Sequence, residues 1–110
     1  MKKTAKNDKE IYELHASICQ CLANPKRLEV IAALGAKEMS VSELAETVGI
    51  SKSNMSQHLS VMRNKGILKG RRDGVSIYYS LSNKKVSSAC ALMREVLFEF
   101  INQRQNLAKG

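Results

Sequence analysis

The stretch from Ser40 to Gly66 constrains this chain more than any other. It holds two short amphipathic segments separated only by Gly49-Ile50-Ser51. Ser40-Val41-Ser42-Glu43 reads as a capping box, with Ser40 as the cap and Glu43 three positions inside. Val41, Leu44, Ala45 and Val48 follow at helical spacing, and Gly49 breaks the helix. Ser51 caps the next one, where Met55, Leu59 and Met62 lie at i, i+4 and i+7 and are expected to face inward. Gly66 closes it. Two helices joined by so tight a turn have helix-turn-helix spacing, which predicts a recognition helix at about residues 52–65.

The flanking segments extend the pattern. Residues 1–8 are polar and basic and are expected to fray. Ile11, Leu14, Ile18 and Leu22 predict a first helix that stops near Ala23. Asn24-Pro25 is a cap followed by proline at the first helical position, and Leu28, Ile31, Ala32 and Leu34 are the expected buried side of a second helix ending at Gly35. After Gly66 the period changes. Ile67 and Leu68 begin an extended segment, Asp73-Gly74 is a hairpin turn, and Val75, Ile77, Tyr79 and Leu81 alternate inward. Ser82 or Asn83 then caps a long last helix with Val86, Cys90, Met93, Leu97, Phe100 and Ile101 on one stripe. The predicted fold is mainly α with a small β-hairpin: four helices, a two-stranded wing and a long C-terminal helix, in a single winged helix-turn-helix domain over residues 1–110.

Charge points the same way. Eighteen Lys and Arg against ten Asp and Glu give a formal net charge of +8, which suits an anionic partner. The apolar runs fall short of the ~18–20 residues a membrane span needs, and residues 1–10 lack the apolar core of a signal peptide. A cytoplasmic, non-membrane protein is expected. In a helix-turn-helix the outward residues at the start of the second helix meet base edges; here they are Lys52, Ser53, Asn54, Ser56, Gln57 and His58. Asn and Gln can each pair with adenine through two hydrogen bonds. From Lys52 to Arg72 the charged residues are Lys52, Arg63, Lys65, Lys69, Arg71 and Arg72, with no acid among them. A solvated surface would mix signs, so the run fits phosphate contacts, with Arg63 on the helix and Arg71 and Arg72 on the wing.

Other classes fare worse. Two histidines, no glycine-rich phosphate loop and no suitable carboxylate pair leave no constellation for an enzyme. RNA binding would call for exposed stacking aromatics, and Tyr78 is the one clear candidate. A winged helix used for protein contacts, or a constitutive DNA binder without a sensor, is the alternative.

Leu22-Ala23-Asn24-Pro25-Lys26-Arg27-Leu28 resembles the LANPxRL signature of the ArsR/SmtB family of repressors. Ser40–Ala45 and Ser51–Leu59 resemble its helix-turn-helix, and Gly66–Leu81 resembles its wing. The likeness spans about residues 10–100. It implies a homodimer on an inverted-repeat operator in double-stranded DNA, released by a metal ion, a metalloid or thiol oxidation. It also implies an interface of the first and last helices, here Ile11, Leu14, Ile18, Cys90, Met93, Leu97, Phe100 and Ile101.

The family's familiar sensor sites do not transfer. Val41-Ser42-Glu43 holds no Cys-x-Cys pair, residues 83–106 hold no His or Asp, and Ala32 stands where sulfur-sensing members carry cysteine. Cys19, Cys21, Cys90 and His15 remain. Cys19 and Cys21 point roughly 200° apart on a helix, whereas His15 and Cys19 share a face. One expectation is a thiophilic ion such as As(III), Zn(II) or Cd(II) on these residues; another is oxidation of a cysteine pair; a third is that all three thiols are packing groups. His58 has no second ligand at i±3 or i±4, so a DNA-facing or structural role is expected of it rather than a metal.

Overall fold

The structure is a computed structural model that describes the backbone of residues 8–109 and the side chains of residues 8–106. Among them run α1 (Asp8–Leu22), α2 (Pro25–Leu34), β1 (Met39–Ser40), α3 (Val41–Val48), α4 (Lys52–Asn64), β2 (Leu68–Asp73), β3 (Ser76–Leu81) and α5 (Lys85–Lys109). The stretch expected to fray lies outside the described residues up to residue 7, while Asp8 already belongs to α1.

The helix starts are set where the capping residues stand. Asn24 Oδ1 accepts from the Lys26 and Arg27 N–H groups at 2.9 and 3.2 Å, with Pro25 in the first turn. Ser40 Oγ accepts from Glu43 N–H at 3.2 Å and Glu43 Oε1 from Ser40 N–H at 2.9 Å, completing the capping box. Gly49 ends α3 in the left-handed region at φ 81°, a conformation that costs other residues a steric clash. Ser51 Oγ then accepts from Asn54 N–H at 3.1 Å.

Three expectations need correction. The wing belongs to a three-stranded antiparallel sheet, order β1-β3-β2, with Met39 opposite Tyr79 and Ser40 opposite Tyr78. A two-residue strand is too short to show alternation, and Ser40 is also the cap of α3. Val75 does not face inward: Asp73 pairs with Ser76, so the loop is Gly74-Val75, with Gly74 at φ 64° and Val75 fully exposed at the tip. On α2 the buried stripe is Val30, Ile31 and Leu34; Leu28 and Ala32 fall on its flank and are exposed.

The core gathers Val30, Ile31 and Leu34 of α2, Leu44 of α3 and Met55, Leu59 and Met62 of α4, all at 0% exposure. Leu68, Tyr79 and Leu81 close it from the sheet. α1 and α5 are packed at one end only. Cys21 is buried and Ile18 and Leu22 pack on the core, whereas Ile11 and Leu14 are exposed. Val86 and Cys90 pack on the core, whereas Met93, Leu97, Phe100 and Ile101 are exposed. The overhang shows in the radius of gyration, 16.7 Å, against about 13 Å for a compact chain of this length. Among the described residues no helix is long and apolar enough to cross a membrane.

Candidate nucleic-acid interface

Burial of Met55, Leu59 and Met62 fixes which side of α4 faces out. Lys52, Ser53, Asn54, Ser56 and Gln57 are all exposed, with Ser53, Asn54 and Gln57 on the side away from that stripe. The first turn holds no acidic residue, so the positive end of the helix dipole is left uncompensated by carboxylates. Five polar side chains near that end form a donor- and acceptor-rich surface with no apolar residue among them.

His58 behaves differently from its neighbours. It is half-buried, and its Nδ1 accepts from Arg27 Nε at 3.1 Å. Burial, then the Arg27 charge, hold its pKa below the ordinary histidine value. The ring therefore accepts as the neutral imidazole, with its proton on Nε2. Of the two roles expected for it, DNA-facing or structural, the contact toward α2 is a structural one, and position 58 lies at the edge of the buried stripe. Sequence reasoning missed Arg27 as its partner; the only available signal was that Arg27 stands inside the Leu22–Leu28 signature.

The basic run is also rearranged by tertiary contacts. Lys65 Nζ donates to Ser17 Oγ of α1 at 2.7 Å. Arg71 is not a free cation: Glu38, from the loop before β1, accepts from its Nε at 3.0 Å and its Nη2 at 2.8 Å. Its guanidinium also lies 5.2 Å from the Tyr78 ring centroid. The paired Arg71 holds the Glu38 carboxyl below its usual range. Arg72, next along β2 and so on the other face of the strand, is exposed and opposite Ile77. Arg63 lies beside the wing at Gly70: a Cβ there would stand 3.5 Å from Arg63 Nη1, an ordinary contact, and a tighter 3.3 Å from Ile77 Cγ2.

The expected sensor residues are not assembled. Cys19 is exposed, Cys21 is buried and Cys90 is half-buried, all as free thiols. Among the described residues no three His, Cys, Asp or Glu side chains are close enough to hold a metal ion. Within the single chain, α1 and α5 each lie chiefly against α2.

A family of helix-turn-helix domains matches residues 22–71. The chain is 35% identical over 95 residues to the HTH-type transcriptional regulator Rv0081 of Mycobacterium tuberculosis, covering 86% of this chain and 83% of that one. The crystal structure of Rv0081 matches with a TM-score of 0.76 over 86% of this chain and 95% of that chain. The transcriptional repressor SmtB homolog of Synechocystis is 37% identical over 81 residues, 74% of this chain and 59% of the relative. A homodimeric winged helix-turn-helix DNA-binding domain from Mycobacterium bovis, 24% identical, has the same fold, with a TM-score of 0.78 over 94% of this chain and 95% of that chain. The chain belongs to the ArsR/SmtB family of winged helix-turn-helix, DNA-binding transcriptional regulators.

Proposed function

We propose that two copies of this chain pair through α1 and α5 and repress transcription by binding an inverted-repeat DNA operator, each α4 lying in a major groove. The observation that carries this is the outer face of α4, polar and exposed from Lys52 to Gln57 over a fully buried inner face. Asn54 and Gln57 read bases, Ser53 and Ser56 adapt to either partner, and Lys52 meets phosphate near the helix N-terminus. Arg72 and Arg63 add phosphate contacts on the wing side. Arg71 contributes to the extent that a phosphate competes with Glu38 for it. Pairing is supported by the apolar residues left exposed on the free ends of α1 and α5, and by the homodimeric relative.

The test is binding to a duplex enriched by the wild-type protein from a random library. An Asn54→Ala, Gln57→Ala double variant is expected to lose at least about 30-fold in affinity for it, each of the two bidentate base contacts being worth roughly 1–3 kcal/mol. The slope of log affinity against log salt should stay the same, since neither residue neutralises a phosphate. Undiminished affinity in the double variant would sink the reading surface.

Release is proposed to run through the thiols. The metal version would need ligands from both subunits, since the described residues of one chain do not gather three. In the oxidative version two cysteine thiols give two electrons and two protons to a peroxide, yielding a disulfide and two waters. Cys21 and Cys90 both pack on the core from the two dimer helices, so a change at either would be felt at the interface. Serine variants of Cys19, Cys21 and Cys90, titrated on DNA with peroxide, Zn(II) and arsenite, should show at least one loss of release. Release that none of them alters overturns the sensing role.

A further inference from the structure

We propose that Arg27 is a positioning residue for DNA recognition, fastening the reading helix α4 to the end of the dimer helix α1. The side chain leaves the first turn of α2, where Asn24 Oδ1 fixes its backbone N–H. From there it divides. One guanidinium nitrogen, Nη1, donates to the Cys21 carbonyl at 2.9 Å, in the last turn of α1. A second, Nε, donates to His58 Nδ1 at 3.1 Å, in the middle of α4.

Each end of this bridge fills a need. α1 has no basic residue in its own last turn, so the carbonyls at its negative pole gain a cation from α2. His58 is half-buried, and Arg27 supplies the donor to its acceptor nitrogen. The guanidinium serves the two acceptors from two separate nitrogens held in one rigid plane, whereas an ammonium carries its three donors on a single rotatable nitrogen.

The bridge matters because of what seats α4. Two of its three fully buried residues are methionines, flexible side chains that set how deep a helix sits better than how it is rolled. Hydrogen bonds are directional and do fix roll. His58 adjoins Gln57 and lies one turn beyond Asn54, so a roll of α4 at His58 re-aims both proposed base readers. A second tie acts in the same sense: Lys65 Nζ holds Ser17 Oγ at 2.7 Å at the far end of α4. Ser17 and Cys21 are one helical turn apart on α1. α4 is thus referenced at two points to the helix whose free end carries Ile11 and Leu14. In a dimer built on that helix, the bridge links the position of the partner to the aim of the reading face. This rests on the dimeric operator binding proposed above.

The test compares two duplexes of equal length, one enriched by the wild-type protein from a random library and one with that sequence scrambled. Arg27→Gln is expected to lower the preference for the enriched duplex about tenfold, the scale of a hydrogen bond involving a charged group. Affinity for the scrambled duplex and the salt slope should not change, because a positioning residue neutralises no phosphate. Arg27→Lys, which keeps charge and near-equal length, should fail to restore the preference, and it carries the test if Arg27→Gln does not fold. Combined with His58→Ala, Arg27→Gln should add nothing further. An unchanged preference, or an additive double variant, overturns the positioning role. So does an equal loss on both duplexes, the mark of a phosphate contact or of general damage. A wild-type protein that enriches no duplex removes operator binding itself, and the bridge's role with it.

Discussion

Leu97→Glu should leave a folded monomer that binds the operator at least about 100-fold more weakly, since joining two modest half-site contacts gains roughly 10²–10⁴ in avidity. The residue is 49% exposed in the single chain, so its replacement removes little from the core. In a dimer built on α5 the same position would be covered, and a carboxylate there would be stranded without a partner. Neighbouring Phe100 and Ile101, 54% and 48% exposed, continue the stripe and would strengthen the effect if also changed. Sedimentation velocity reads the oligomeric state, circular dichroism reads the fold, and titration on full and half operators reads the avidity. A variant that remains dimeric, or a monomer that binds the full operator as well as wild type, contradicts the pairing proposed through α5. The half-operator affinity should be nearly that of wild type, because α4 and the wing are untouched.

How much of this was legible in the sequence depended on the range of the interaction. Caps, turns and stripes are local, and they were readable: Asn24, Ser40 and Ser51 cap as their spacing implied, and Met55, Leu59 and Met62 are buried together. The two-residue strand Met39–Ser40 was not readable, because its only signature is a partner some forty residues away at Tyr78 and Tyr79. The charge run from Lys52 to Arg72 contains no acid, yet its surface does, since Glu38 folds onto Arg71. For His58 the sequence left a DNA-facing and a structural role both open. Its true neighbour, Arg27, is 31 positions away and becomes visible only when α2 lies beside α4. Side-chain pairs of this kind decide which cations remain available to phosphate and which merely hold the frame.

Leu59→Ala is expected to destabilise the protein by about 2–5 kcal/mol, the usual cost of deleting a fully buried leucine side chain. Leu59 has no exposed surface and is the branched, well-defined member of the stripe that seats α4, between Met55 and Met62. Its loss leaves a cavity that flexible methionines can fill in part, which favours the lower half of that range. Gln57→Ala, two residues away on the exposed side, should change stability by less than about 0.5 kcal/mol. Urea unfolding at one fixed protein concentration makes the comparison, because a dimer's midpoint moves with concentration. The pair of variants separates seat from reader. Leu59→Ala should lower the unfolding midpoint and weaken binding to enriched and scrambled duplexes alike, whereas the Gln57 change should weaken only the enriched one. An unmoved midpoint in Leu59→Ala would mean that α4 is held on the body by its polar ties to α1 and α2 rather than by its apolar stripe. The reading face would then owe both its depth and its roll to the bonds at Ser17 and Arg27.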